Sequence, residues 1–95
     1  PERFELLQNY PNPFNPSTNI PIRIPVHSKI SLKIYDILGK EITTIYNGLL
    51  EKGYYVFEWN GKDKNGNLVT SGLYFVKLNS PDNNINFIRK IILLR

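Results

Sequence analysis

Residues 53–78 read GYYVFEWNGKDKNGNLVTSGLYFVKL, and this stretch decides the fold. Tyr55, Phe57 and Trp59 alternate with Tyr54, Val56 and Glu58. Tyr74, Val76 and Leu78 alternate with Leu73, Phe75, Lys77 and Asn79. A period of two sends successive side chains to opposite faces of an extended chain, so each run predicts a half-buried strand. Between the runs, Asn60-Gly61, Asn65-Gly66 and Ser71-Gly72 supply turn chemistry.

Working outward, the same elements recur. Ile20, Ile22, Ile24 and Val26 alternate with Pro21, Arg23 and Pro25, and Ile30, Leu32 and Ile34 with Ser31, Lys33 and Tyr35. Further turn signals stand at Asp36–Gly39, Asn47-Gly48, Lys52-Gly53 and Ser80–Asn84. This rhythm predicts an all-β chain, an antiparallel β-sandwich of about seven short strands. Residues two apart in a strand point their N–H groups to one side. Pro21 and Pro25 therefore blank that side and predict that Ile20–Val26 lies at a sheet edge. Ile42, Ile45, Tyr46, Leu49 and Leu50 follow a helical period. The β-branched run Ile42-Thr43-Thr44-Ile45 and the Asn47-Gly48 break favour a strand followed by a turn. Neither an internal repeat nor a separate linker is visible.

The 95 residues suggest one domain, long enough to bury roughly 65% of its unfolded surface. A hydrophobic content of 41% with 13% aromatics excludes a disordered chain. Cysteine is absent, which removes disulfides and thiolate chemistry. Methionine is absent too, even at position 1, which predicts a piece cut from a longer protein, or a mature product. The longest apolar run, Ile91–Leu94, falls far short of the ~20 residues of a spanning helix. The net charge of +4 comes from dispersed side chains, except that residues 85–95 hold Arg89, Lys90 and Arg95 and no acid. A solvated basic face is the expectation. No stripe or motif points to nucleic acid, and nothing supports attraction to a membrane surface.

Catalytic chemistry finds little footing. His27 beside Ser28 lacks the third member of a triad. The acids are scattered, and no pair of them is favoured for glycoside hydrolysis. Asp63-Lys64-Asn65-Gly66 lacks the acid density of a calcium loop and reads as a plain turn. Every glycine is a single turn residue, so no phosphate loop is present. No catalytic, metal or cofactor-binding residue is assigned, no cofactor or small-molecule substrate is expected, and the chain reads as non-enzymatic. Tyr10, Tyr54, Tyr55 and Trp59 are candidates for a sugar-stacking platform, although the alternation through Trp59 fits a sandwich core better.

The remaining segments carry a resemblance. FELLQNYPNPFNPSTNIPIRIP, ISLKIYDILGKEI, the stretch quoted first, and a closing IRKIILLR occur in that order. Together they closely resemble the type A C-terminal sorting domain of the type IX secretion system, from about Phe4 to Arg95. The core pattern is also similar to the Ig-like domain of flagellar hook-capping proteins. Asn60 departs from the sorting-domain pattern, which usually has Asp before that glycine; either residue serves in a turn.

The resemblance implies an Ig-like sandwich that folds in the periplasm at the C-terminus of a larger cargo. It implies recognition by the type IX outer-membrane machinery and export of the cargo to the surface or medium. In the domains the chain resembles, a sortase-like protease often then removes the domain, and the cargo is released or anchored. It implies no nucleic-acid partner. The recognition residues carry over as Ser71, Gly72, Leu73 and Tyr74 with Arg89, Lys90, Ile91, Ile92, Leu93, Leu94 and Arg95. A secreted or cell-surface location follows, with the sorting signal lost when Arg89–Arg95 is deleted. An accessory Ig-like module, binding carbohydrate or spacing an enzyme, is the alternative.

The residues themselves bear on that role. The last strand is apolar on both faces, with Phe87, Ile91 and Leu93 on one and Ile88, Ile92 and Leu94 on the other. Either it pairs with a partner by strand addition, or its own domain covers both faces. A monomer is expected, with self-association conceivable through this strand. In the lead-in motif Tyr10, Pro11, Asn12, Pro13, Phe14, Asn15 and Pro16, the prolines fix φ and hold the preceding residues extended. Tyr10 and Phe14 are expected to anchor the segment, while Asn12, Asn15 and Ser17 satisfy nearby backbone.

Overall fold

The alternating runs form strands. A computed structural model describes residues 2–95. The strands are β1 (Glu5–Leu6), β2 (Thr18–Ile24), β3 (Ser28–Tyr35), β4 (Glu41–Leu50), β5 (Gly53–Trp59), β6 (Gly72–Ser80) and β7 (Ile85–Leu93). Their alternating side chains turn inward, fully buried in β2, β3 and β6 and half-buried up to buried Trp59 in β5, whereas Val26 lies beyond β2 and is exposed. A 3₁₀ turn, Pro81–Asn83, joins β6 to β7. All strand pairs are antiparallel, in two sheets ordered β1-β2-β5 and β4-β3-β6-β7. Ile20, Ile22 and Ile24 from one sheet meet Ile30, Leu32, Ile34, Val76 and Leu78 from the other. Each such side chain contributes roughly 1.5–3 kcal/mol by leaving water. The fold is the all-β sandwich that the alternation predicts.

Two local expectations change. β2 is not an edge strand: β5 flanks one side, and β1 with the Tyr10–Asn19 bridge flanks the other. The proline logic survives in part. The Pro21 carbonyl accepts from Leu7 N–H at 3.0 Å, so its imide nitrogen faces the short N-terminal segment, where few ladder bonds are needed. Pro25 lies beyond the end of the strand. In β4 the chain does not turn at Asn47-Gly48. Asn47 pairs with Ser31 and Gly48 with Ile30, and the strand continues to Leu50.

The helical period in β4 has a different origin. The register with β3 shifts between Leu32 and Lys33 and again between Ile34 and Tyr35. Ile45 and Ile42 are the extra residues, and each bulge reverses the side-chain parity. Ile42, Ile45, Tyr46 and Leu50 consequently all pack against the core, at spacings that imitate a helix.

Candidate functional site

Three segments far apart in sequence meet along the second half of β7. Gly72, Leu73 and Tyr74 pair with Leu93, Ile92 and Ile91 at one edge. At the other edge Phe14 makes a parallel bridge to Leu93. Phe14 N–H donates to Ile92 O at 2.9 Å, and Leu94 N–H donates to Phe14 O at 3.0 Å. One turn of the ladder further back, the Ile92 N–H donates to Asn12 Oδ1 at 2.9 Å. The Asn12 side chain supplies the acceptor that a continuing strand would have offered. The proline-rich segment thus crosses from the first sheet, where Tyr10 bridges Asn19, to the edge of the second.

Phe14 is the anchor, buried in the core with its ring 5.5 Å from Trp59, which in turn meets Tyr74 edge-on at 5.3 Å. Tyr10 holds on through its backbone only, and its ring is exposed. The base of the segment is pinned by buried Asn9, whose Nδ2 donates to Thr18 Oγ1 at 2.9 Å, while Thr18 Oγ1 donates to Pro11 O at 2.8 Å. Sequence reasoning missed Asn9 and Thr18, because their contacts depend on where the segment doubles back.

Within the predicted recognition set, the side chains divide sharply. Tyr74, Ile91 and Leu93 are buried in the core. Tyr74 also donates its hydroxyl to Thr70 O at 2.7 Å. Arg89 Nε donates to Leu6 O at 2.7 Å, tying β7 to β1. Arg95 closes the C-terminal end. Its N–H donates to Ser71 Oγ at 2.9 Å, its Nε to Val69 O at 2.8 Å and its Nη2 to Gly61 O at 2.7 Å. Gly61 has φ +72°, a left-handed conformation that favours glycine, and a Cβ there would stand 2.7 Å from Arg95 Nη2 and push that guanidinium aside. Ser71, Arg89 and Arg95 are exposed but tied by these hydrogen bonds, and Leu73, Lys90, Ile92 and Leu94 are exposed beside them, joined by Ile88.

The backbone of β7 adds an open edge. Ile92 and Leu94 bond outward to the proline-rich segment, so the alternate residues Asn86, Ile88 and Lys90 also direct their backbone groups outward. Asn86 and Ile88 line a groove of about 450 Å³ between β7 and the N-terminal segment, bounded by Phe4, Leu6, Phe87 and Arg89.

Other candidate chemistry is accounted for locally. His27 Nδ1 meets exposed Glu51 Oε2 at 2.7 Å. Asp63 Oδ1 accepts from the N–H groups of Asn65 at 2.9 Å and Asn67 at 3.0 Å within its own turn. Among the described residues no group of His, Cys, Asp or Glu could hold a metal ion. Trp59 is buried and gives Nε1–H to Lys62 O at 2.9 Å, so it belongs to the core and not to a sugar platform. The Glu41 carboxyl is held below the ordinary range by a hydrogen bond from Lys33, whose Nζ lies 3.2 Å away.

The model of the FlgD Ig-like domain family matches residues 18–84. The chain belongs to this family. No curated protein matches it. Among solved structures, FlgD from P. aeruginosa is similar with a TM-score of 0.61 and 23% identity, covering 80% of this chain and 60% of that one. Dimeric latent PorU from Porphyromonas gingivalis gives a TM-score of 0.75 at 17% identity over 99% of this chain. PorZ, described as an essential bacterial surface component of the type-IX secretion system of Porphyromonas gingivalis, gives 0.60 at 24% over 93%. The chain spans only 9% of PorU and 11% of PorZ. At these identities the likeness is one of fold, and both resemblances read in the sequence are met at that level.

Proposed function

We propose that this Ig-like domain is a non-enzymatic C-terminal sorting signal, recognised by type IX secretion machinery at the outer membrane. It is carried by a larger cargo that reaches the cell surface or the medium. The observation that supports this reading best is the asymmetry of β7. One face, Ile91 and Leu93, completes the core, while Ile88 stays exposed beside the open stretch of the strand edge and Ile92 and Leu94 stay exposed where Asn12 and Phe14 cap that edge. An open strand edge with apolar side chains beside it is a ready template for pairing with another chain, and strand addition with apolar side-chain pockets is an established recognition mode. The likeness of PorU and PorZ over nearly the full length of the chain adds to it.

The test is a secretion assay with the chain fused to a signal-peptide-bearing fluorescent reporter in a bacterium with type IX secretion. Deleting Arg89–Arg95 would be ambiguous, because Ile91 and Leu93 are fully buried. The informative variant is Ile92→Ser with Leu94→Ser, which alters exposed positions and keeps the fold. The reading expects the reporter outside the cell for the parent chain and retained in the periplasm for the variant.

A further inference from the structure

The lysines are dispersed in sequence, but the pairing register gathers them. The outer face of the four-stranded sheet carries Lys29, Lys33, Lys77 and Lys90 against one acid, Glu41, while Arg89, opposite buried Val76, belongs to the other face. On the outer face Lys33 lies opposite Lys77, and Lys77 lies opposite Ile88. In the next row Tyr35 lies opposite Phe75, and Phe75 opposite Lys90. Like charges directly across a strand pair are unfavourable. Here Glu41 draws Lys33 aside, and Lys77 Nζ sits 5.3 Å from the Tyr35 ring centroid. Folding alone gives no reason for this concentration of charge.

At one end of that face stands the β3–β4 turn. Asp36 Oδ1 accepts from the N–H groups of Leu38 and Lys40, both at 2.9 Å, and Gly39 N–H closes on Asp36 O at 3.0 Å. The turn is thereby fixed, and it presents Ile37 and Leu38 at 66% and 88% exposure. A groove of about 300 Å³, bounded by Ile37, Phe75, Lys77 and Ile88, joins the turn to the lysine face.

We propose that the Ile37–Leu38 turn and the lysine face form a docking surface for an anionic bilayer. The two aliphatic side chains enter the headgroup–acyl boundary, and the lysine stems lie along the apolar face with their ammonium groups at lipid phosphates. Charge complementarity selects this occupant, and the kind of cation selects it over an acidic protein. Protein interfaces favour arginine and are depleted in lysine. Both arginines of the C-terminal strand region are turned to the domain's own carbonyls. This surface stands independently of the sorting reading.

The test is co-sedimentation of the 95-residue chain with vesicles of phosphatidylcholine alone or mixed with phosphatidylglycerol, at low and high salt. Binding is expected to the mixed vesicles only and to fall as salt rises. Lys77→Ala with Lys90→Ala should weaken it about 25-fold, from about fivefold per lysine. Ile37→Ser with Leu38→Ser should weaken it about tenfold or more. Tyr54→Ser with Val56→Ser, on the opposite sheet, should leave it unchanged. Thermal unfolding checks that each variant is folded. No binding, equal binding to both vesicle types, or parental binding by the turn variant would overturn the proposal. So would capture of soluble polyglutamate by a chain that ignores the mixed vesicles.

Discussion

Asn12 stands among prolines, yet its Oδ1 accepts from the Ile92 N–H, 80 residues away in sequence. Asn12→Ala should cost about 1 kcal/mol in denaturant unfolding, the usual net value of one hydrogen bond. Phe14→Ala should cost about 3–5 kcal/mol, because the ring fills a closed space against Trp59. A smaller effect belongs to Glu41. Its folded carboxyl titrates below its unfolded value, chiefly through the hydrogen bond from Lys33. The pair therefore stabilises the fold above the unfolded pKa and ceases to do so as pH falls through the lowered folded one. Glu41 is 41% exposed, so the term is worth only about 0.5 kcal/mol after solvent screening. Glu41→Gln should remove that acid-side slope in stability measured between pH 6 and pH 3, both rough bounds around a carboxylate pKa. The anchoring duty of Phe14 was legible from its place between prolines. The partner of Asn12 was not, because a hydrogen bond across the whole chain leaves no local pattern.

At the level of elements, alternation made β2, β3, β5 and β6 legible, gave no sign of the two-residue β1, and failed where the backbone departs from regular pairing. β4 carries a helical pattern because its two bulges each spend one residue without a partner. Asn47-Gly48 has strong turn chemistry, but continuing to pair with Ser31 and Ile30 satisfies more backbone groups than turning would. The faces of β7 were legible as apolar. Which face the core claims depends on the sheet order, and that is a tertiary property. This order carries a prediction of its own. Truncation after Ile88 removes buried Ile91 and Leu93 together with the Arg95 clamp on Gly61, Val69 and Ser71. Circular dichroism of the truncated chain should show no cooperative unfolding transition, since losing two such core side chains removes roughly 4–10 kcal/mol.

The whole molecule places its chain ends apart. β1 pairs with the far end of β2, beside Ile22 and Arg23, while Arg95 closes on the opposite end near Gly61 and Val69. A cargo joined ahead of β1 would leave the C-terminal end and the exposed Ile92 and Leu94 of β7 accessible to a receptor, while the open edge at Asn86 and Ile88 borders the N-terminal segment itself. Three segments chosen from sequence by resemblance, Tyr10–Pro16, Ser71–Tyr74 and Arg89–Arg95, lie side by side there. Their adjacency follows from the β6–β7 hairpin and the bridge to Phe14. The measurement that bears most directly on the account is reporter export by the parent chain and by the Ile92→Ser, Leu94→Ser variant. Both should unfold with midpoints within a few degrees, as exposed substitutions do. The parent should put the reporter outside the cell, and the folded variant should leave it in the periplasm. Equal export of both, or retention of both in a host that exports related domains, would contradict the sorting reading.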